Sequence, residues 1–547
     1  MFVRTEMQML RFPDSPKTPC SGGAFGQAKQ GNRLWQESPA SHWAVMPRNS
    51  NFISGLLRPL HHIAHTSVPI SGNVQRIGGA HKKSACFGRR CIVCLLALCS
   101  LMSGLSCLNI QYSPLDTRDP LIFLIAGAVT PPSVRISSVQ KLGEGQGGFS
   151  AVLNDDDQLG WDATSPGDLD SDGIQDFVVT APQDDDGGSD RGAVFVLFMN
   201  ADGSIRAQQK ISATQGGVTP ALTDLDRFGW SACSIGDLDG DGTLDLMGGA
   251  AQDSDDGPAR GSIYTLFLNA NGTVNAIQKI SDSQGSFTAT LDDLDRFGAS
   301  CASLGDLNGD GVTDVAVGAL TDDDGGTDRG AVYILFMNTN GTVSSFQKIS
   351  DTEGGFTGML DDDDRFGRRV TVAGDLNLDG NPDLIVTALG DDDGGTNRGA
   401  LYVLFLNSDG TVAQHQKISA TEGGFTGILD DADELRGGAA PGDLNQDGVP
   451  DFVVGAVNDD DGGLNRGALY VLFLNRDGTV KYHTKFSSTE GGLPSVLNDG
   501  DAFGSSVTAA DINGDGLPEL LVGSRYDDSG GTDRGAAYVL FLERYRL

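Results

Sequence analysis

The chain has 547 residues and a formal net charge of −36, and its two parts carry opposite charge. Residues 1–137 hold 14 basic and 5 acidic residues, whereas the remainder holds 24 basic and 69 acidic residues. Such an acidic excess repels nucleic acid and anionic membrane surfaces, so we expect bound cations or basic partners to supply the counter-charge.

The N-terminal part is predicted to be a leader and a targeting segment. Residues 1–90 lack a sustained helical or strand period over most of their length, which indicates a disordered leader or a start codon placed too early. An apolar segment follows at 91–107, and its basic flank contains Lys82, Lys83, Arg89 and Arg90. This pattern is typical of a secretory signal or, if it stays uncleaved, of a membrane anchor.

Both alternatives place the rest of the chain outside the cytoplasm, either secreted or at the cell surface. A lipoprotein acylated at Cys107 is a third alternative, although the residues before it fit that signal poorly. We expect residues 108–137 to be a linker and residues 138–547 to form one repeat domain.

The repeat is marked by a nine-residue acidic loop that occurs six times at intervals of 68 or 69 residues. In the third copy it has the sequence DLNGDGVTD. A constant period of this size indicates one supersecondary unit copied in tandem, because a single unit cannot bury its apolar face alone. The copies begin at Asp168, Asp237, Asp306, Asp375, Asp443 and Asp511.

Each repeat is predicted to form four antiparallel strands without a helix. In the third copy, FGASCASLG and VAVGAL flank the acidic loop, AVYILFM follows a Gly/Asp-rich segment, and TVSSFQKIS follows the turn at Asn340-Gly341. Four-stranded sheets repeated radially form a β-propeller. The sixth copy lacks a fourth strand, which SVQKL at 138–142 can supply. The predicted fold is therefore an all-β propeller of six four-stranded blades, with seven left open, closed by an N-terminal strand.

Because antiparallel strands alternate in direction, the connections of such a blade divide between two rims. The acidic loops join first to second strands and share one rim with the Asn-Gly and Asp-Gly turns. The DDDGG segments and the long connections between blades share the other.

The acidic loop has the composition of a calcium site. Calcium takes about six to eight oxygen ligands, and a glycine at position 6 permits the tight turn. Positions 1, 3, 5 and 9 supply side-chain oxygens and position 7 a carbonyl, so we expect about six calcium ions with a structural role. The predicted ligands are, loop by loop, Asp168, Asp170, Asp172, Ile174 and Asp176; Asp237, Asp239, Asp241, Thr243 and Asp245; Asp306, Asn308, Asp310, Val312 and Asp314; Asp375, Asn377, Asp379, Asn381 and Asp383; Asp443, Asn445, Asp447, Val449 and Asp451; and Asp511, Asn513, Asp515, Leu517 and Glu519.

The residues around the loop resemble a known family. Phe-Gly precedes it at 228–229, 297–298, 366–367 and 503–504, and Gly-Ala or a related pair follows it at 180–182, 249–250, 318–319 and 455–456. This arrangement resembles FG-GAP repeats, the units of the integrin α-chain propeller. The resemblance implies a calcium-loaded propeller that binds a protein or glycan ligand at the cell surface or matrix, on the face opposite the calcium loops.

The chain departs from the integrin pattern in several places. It has six repeats where integrins have seven, every copy keeps its acidic loop, and Leu435-Arg436 replaces Phe-Gly in the fifth copy. No inserted ligand-binding domain, leg region or C-terminal anchor follows. We therefore expect an integrin-like adhesion module rather than an integrin, with a calcium-dependent glycan lyase or hydrolase as the alternative.

Three further groups of residues have competing interpretations. We expect Cys233 and Cys301, at nearly equivalent strand positions, to be buried free thiols rather than a bridge or a metal site. His415 and His483 are expected on a strand surface rather than in a catalytic site. The Arg next to each DDDGG cluster is expected to pair with a neighbouring carboxylate, with a ligand or second-metal surface as the alternative.

Overall fold

A computed structural model describes residues 133–218, 222–494 and 496–545, and these residues form 24 β-strands and no helix. The strands form six sheets of four antiparallel strands each. This confirms the predicted all-β propeller and fixes the number of blades at six in the part of the chain that the structure describes.

Every blade has the same strand order, so the strands are grouped by position. The first strands are β2 (Ala163–Gly167), β6 (Ser231–Gly236), β10 (Phe297–Gly305), β14 (Phe366–Gly374), β18 (Leu435–Gly442) and β22 (Phe503–Ala510). The second strands are β3 (Asp176–Ala181), β7 (Asp245–Ala250), β11 (Asp314–Ala319), β15 (Asp383–Ala388), β19 (Asp451–Ala456) and β23 (Glu519–Ser524).

The third strands are β4 (Ala193–Met199), β8 (Ser262–Leu268), β12 (Ala331–Met337), β16 (Ala400–Leu406), β20 (Ala468–Leu474) and β24 (Ala536–Tyr545). The fourth strands are β5 (Ile205–Ser212), β9 (Val274–Ile280), β13 (Val343–Ile349), β17 (Val412–Ile418), β21 (Val480–Phe486) and β1 (Ser133–Leu142).

The first strands lie innermost, and each packs against the first strands of the two neighbouring blades, with β22 beside β2. Together they line an axial cavity of about 230 Å³. The second and third strands lie in the middle of each sheet, where both faces are covered. Continuous apolar sequences such as AVYILFM in β12 are therefore buried at every residue.

The N-terminal strand closes the ring, as predicted. β1 pairs antiparallel with β24, from Ser133 opposite Tyr545 to Leu142 opposite Ala537, and completes the sheet order β1-β24-β23-β22. This pairing covers an edge that would otherwise expose unpaired backbone groups. The strand begins at Ser133 and therefore includes the last five residues of the segment predicted as a linker.

The hydrophobic core lies between blades. Phe297 at the start of β10 packs edge-on against Tyr333 of β12, with ring centroids 5.6 Å apart, and Phe287 stacks on Phe297 at 4.9 Å. Phe366 and Tyr402 repeat the contact one blade later at 5.7 Å. The Phe of the Phe-Gly pair thus fills the space between neighbouring sheets.

The expectation of free thiols is wrong, because Cys233 of β6 and Cys301 of β10 form a disulfide. The two residues occupy equivalent positions on adjacent inner strands, and their Cα atoms lie 5.7 Å apart. That separation is within the range that a disulfide spans. They come together because their strands are neighbours in the ring, although the two residues are far apart in sequence.

No helix among the described residues is long and apolar enough to cross a membrane. The predicted leader at 1–90, the signal or anchor at 91–107 and most of the linker at 108–137 lie outside the described residues.

Candidate metal sites and the opposite rim

All six acidic loops lie on one rim and fold alike. In the first loop, Asp168 Oδ1 accepts a hydrogen bond from the Asp172 N–H (2.9 Å), and its Oδ2 accepts one from the Gly173 N–H (2.8 Å). The glycine at position 6 has a positive φ in every loop, from +81° at Gly516 to +98° at Gly380. A Cβ there would meet nothing within 4 Å in five loops and only the Arg476 guanidinium at 3.8 Å beside Gly448, so the backbone conformation alone requires glycine.

The carboxylate at position 9 anchors each loop to its blade. Asp176 is fully buried; its Oδ2 accepts a hydrogen bond from the Leu169 N–H (3.0 Å), and its Oδ1 accepts one from the Met199 N–H at the end of β4 (3.1 Å). Burial raises the pKa of Asp176 to about 6, and it raises that of Glu519, the position-9 residue of the sixth loop, to about 7. In the first, second, third and fifth loops this carboxylate ties the loop to the third strand, through hydrogen bonds donated by the N–H groups of Met199, Leu268, Met337 and Leu474.

The residues fit a hard cation. Carboxylate oxygens of Asp168, Asp170 and Asp176 lie within 4.8 Å of one another, and those of Asp237, Asp239 and Asp245 do the same in the second loop. Asp170 Oδ1 is buried without a hydrogen-bond partner. Converging carboxylate oxygens, one of them buried without a donor, are the kind of ligand set that a hard cation such as calcium prefers. The other four loops have Asn at position 3, and its Oδ1 accepts the N–H of position 5, as Asn308 does from Asp310 (2.8 Å).

In two loops, among the described residues, a basic side chain contacts a carboxylate that is a predicted ligand, a contact that was not predicted from the sequence. Arg206 of β5 contacts Asp170 and lies 2.9 Å from Asp172, and Lys481 of β21 lies 3.0 Å from Asp447. Both basic residues directly follow the first apolar residue of a fourth strand. Their position in that strand could therefore have indicated that they lie near the acidic loop. A cation bound in these two loops would compete with the basic side chain.

On the opposite rim, a lysine from the fourth strand neutralises the DDDGG cluster. Lys348 Nζ lies 2.8 Å from Asp322 and 2.6 Å from Asp324. Other blades repeat the arrangement in Lys210 with Asp184 and Asp186, Lys279 with Asp253 and Asp255, Lys417 with Asp391 and Asp393, and Lys485 with Asp459 and Asp461. The first and third carboxylates of these clusters are therefore compensated within the blade.

Where the middle residue of a cluster is aspartate, its carboxylate is exposed and supports its own loop; the second blade has Ser254 at this position. Asp323 Oδ1 accepts a hydrogen bond from the Asp328 N–H (2.8 Å), and Asp392 Oδ1 accepts one from the Asn397 N–H (2.7 Å). These carboxylates remain available on the surface of the rim.

The arginine after each DDDGG cluster links its loop to the connection that leads to the next blade. Arg329 Nε donates to Asp362 (3.0 Å) and its Nη1 donates to Asp351 (2.7 Å). The arginines therefore pair with carboxylates, as expected, and their partners lie in the following connection. They stiffen the rim and join two long segments of chain.

Acidic cavities lie between these segments. One of about 370 Å³ is bordered by Asp433, Asp459, Tyr470, His483 and Glu490, and one of about 360 Å³ occupies the equivalent place two blades earlier. His483 packs against Phe425 and Tyr470 with ring centroids 5.3 and 5.7 Å away. This histidine is therefore a half-buried packing residue on its strand, and its burial lowers its pKa.

Four segments of the chain match a known family of repeats. The FG-GAP repeat model matches residues 160–197, 297–335, 366–404 and 503–540, which lie in the first, third, fourth and sixth blades. The chain carries FG-GAP repeats. The unmatched fifth blade is the one in which Leu435-Arg436 replaces Phe-Gly.

The FG-GAP propeller resembles parts of larger proteins. It is 29% identical over 238 residues to integrin alpha pat-2 of Caenorhabditis elegans, which covers 43% of this chain and 18% of the relative. It is 32% identical over 179 residues to phosphatidylinositol-glycan-specific phospholipase D of Bos taurus, which covers 32% of this chain and 20% of the relative. The chain thus spans about a fifth of each relative, and these relatives include a named enzyme as well as an integrin.

A solved structure from the DUF4221 family of Bacteroides vulgatus aligns with a TM-score of 0.36 at 8% identity. It covers 76% of this chain and 99% of its own, and the score is too low to carry an argument.

Proposed function

We propose that the FG-GAP propeller is an extracellular ligand-binding module of the adhesion type, with structural calcium on one rim and a protein or glycan ligand on the other. The observation that carries the proposal is the set of six acidic loops on one rim, in two of which three carboxylate oxygens converge, with Asp170 Oδ1 buried and unpaired. In each loop, positions 1, 3, 5, 7 and 9 would hold the ion. Calcium would neutralise carboxylates that otherwise repel one another.

The disulfide between Cys233 and Cys301 supports an extracellular location, because such bonds persist in oxidising compartments. The similarity to integrin alpha pat-2 agrees with this location. We expect the loops to bind calcium with dissociation constants of about 10⁻⁴ M, as in extracellular modules.

The opposite rim is the better ligand surface because its near-identical loops repeat around the ring. Exposed carboxylates such as Asp323 and Asp392 recur at equivalent places, and acidic cavities lie beside them. A repeated surface of this kind favours multivalent binding over a single catalytic centre.

The test uses arrays of glycans and matrix proteins, probed with the full chain with and without calcium. The double variant D323N/D392N should lose binding to any ligand that the wild type captures, and its melting temperature should stay unchanged. Stability is retained because the amide oxygen of Asn can accept the same backbone N–H that each carboxylate accepts.

D202N/D409N is the matched control. It removes the same charge from hairpin turns on the calcium rim, where other blades have Asn271 and Asn340 at the equivalent position. Binding by this control at the wild-type level, together with loss in D323N/D392N, supports the proposal. Equal binding by both variants, or no captured ligand at all, would reject the acidic rim as the ligand surface.

A further inference from the structure

Three arginines from three blades converge on one tryptophan at the acidic-rim end of the propeller. Trp161 lies just before β2, Arg368 and Arg436 lie at the starts of β14 and β18, and Arg525 follows β23. The guanidinium carbons of Arg368, Arg436 and Arg525 lie 5.6, 4.8 and 5.0 Å from the centroid of the Trp161 ring. Only the ring arrangement brings these residues together.

The three guanidinium groups are buried without a counter-ion. Arg368 and Arg436 are 7% exposed and Arg525 is 6% exposed. Among the described residues, no carboxylate oxygen lies within 4 Å of their nitrogens. Arg368 Nη2, Arg436 Nε, and Nε and Nη1 of Arg525 are buried and have no hydrogen-bond partner. A buried charge normally has a partner, because removal from water is otherwise unfavourable.

Two other arginines, by contrast, have a carboxylate partner. Arg369, the next residue after Arg368, is paired with Asp162, and Arg466 lies 2.8 Å from Asp499. The aromatic ring of Trp161 accounts for the stacking of the three guanidinium groups. It does not provide hydrogen-bond acceptors for the guanidinium nitrogens that lack a partner.

The cluster carries an excess of positive charge. Burial, together with the neighbouring Arg525 and Arg369, lowers the pKa of Arg368 to about 9, although Asp162 and Glu434 act in the opposite direction. Burial and the other two arginines likewise lower the pKa of Arg436, and burial lowers that of Arg525. Tyr526 lies beside Arg525, whose guanidinium carbon is 4.6 Å from the centroid of the tyrosine ring. Four guanidinium groups thus face two carboxylates, Asp162 and Glu434.

We propose that Arg368, Arg436 and Arg525 form a binding site for one tetrahedral oxyanion, phosphate or sulfate, held over Trp161 at the axial end of the acidic rim. Planar guanidinium forks bind such anions through paired N–H groups. Three forks from three directions match an ion with several acceptor oxygens. The three arginines keep 6–7% of their surface exposed, so the cluster is not completely sealed from solvent.

The experiment is calorimetric titration of the full chain, at constant calcium, with sodium sulfate and separately with sodium phosphate. Sodium chloride at the same ionic strength is the reference. Wild type should bind sulfate and phosphate saturably with a stoichiometry of one. A third titration with methyl phosphate distinguishes a site for the free ion, which the ester would fill less well, from a site for a phosphate ester.

R436Q and R525Q should each weaken binding at least tenfold, because each removes charge-assisted hydrogen bonds from the site. R466Q is the matched control, since it removes the same charge from the same rim away from the cluster. Its affinity should equal that of wild type. If the wild type shows no saturable binding, the proposal is overturned whatever the variants do. Wild-type affinity in both R436Q and R525Q would also overturn it.

Discussion

Cys233 and Cys301 are 68 residues apart in sequence and covalently joined across two blades. Their bond links β6 to β10, the inner strands of the second and third blades. The propeller is thus held together by sheet packing around the ring and, at this one described place, by a covalent link.

Reduction of this bond should destabilise the propeller. A disulfide that closes a loop of this length stabilises a protein by about 2–4 kcal/mol, chiefly through the unfolded chain. We expect a reducing agent to lower the melting temperature of the wild type and to have no effect on the double variant C233S/C301S. A wild-type melt that is insensitive to reductant would contradict the structural role of the bond.

Chelation of calcium should lower the melting temperature by many degrees. At a free concentration ten times the dissociation constant, each ion contributes about 1.4 kcal/mol, and six sites contribute several times that. The measurement is a thermal melt in calcium and in excess EGTA, with magnesium at the same concentration as a control. Identical melts in calcium and EGTA would exclude structural calcium in these loops.

The buried carboxyl of Asp364 should make stability depend on pH. Burial, together with the negative charges of Asp391 and Asp361, raises its pKa to about 7, although the Asp361 N–H and Lys417 act in the opposite direction. Because the folded pKa exceeds the unfolded value, the stabilising contribution is present at low pH and is lost as pH rises towards 7. Replacement by neutral Asn removes this loss.

D364N should therefore gain free energy of unfolding relative to wild type as pH rises from 5 to 8, by about 1–2 kcal/mol. Chemical denaturation at both pH values measures the change. The adjacent exposed Asp363 provides the control, since D363N removes the same charge in solvent and should show no such trend. A parallel pH dependence in D364N and wild type would contradict the prediction.

Lys348 should be essential to its blade. Its Nζ is the cation for Asp322, whose side chain is only 4% exposed. Removal of one partner of a buried ion pair costs about 3–5 kcal/mol, because the other charge stays buried. We expect K348M to lose about this amount in denaturant unfolding.

R135Q serves as the comparison for K348M. It breaks an ion pair with Glu543 in which both side chains are about half exposed. Such surface pairs contribute about 0–1 kcal/mol. Equal losses in K348M and R135Q would show that the pair at Lys348 is also solvated.

The period of the acidic loop and the alternation of its flanking strands predicted the blade, the number of blades and the closing strand. These features are local or repeat at a constant interval, so one sequence contains them. The lysine that neutralises each DDDGG cluster was missed because it lies about two strands away from that cluster in sequence. Its recurrence in the QKI pattern of the fourth strand was the available signal.

Contacts around the axis were harder to predict, because they depend on which residues of different blades face one another. Cys233 and Cys301 could have been paired once a propeller was predicted, since equivalent positions on adjacent inner strands are lateral neighbours. The convergence of Arg368, Arg436 and Arg525 on Trp161 has no repeat pattern. It arises from three local departures from the repeat that meet only in the folded ring.

The pairing of Ser133 with Tyr545 places the two ends of the ring side by side on the calcium-loop rim, where other blades have a two-residue turn. The break in the ring is therefore equivalent to one cut hairpin. A short linker from Tyr545 to Ser133, with new termini between Asp202 and Gly203, should give a circular permutant with the same six sheets. Which blade comes first in the polypeptide is then a matter of gene order, whereas the cyclic order of the blades defines the protein.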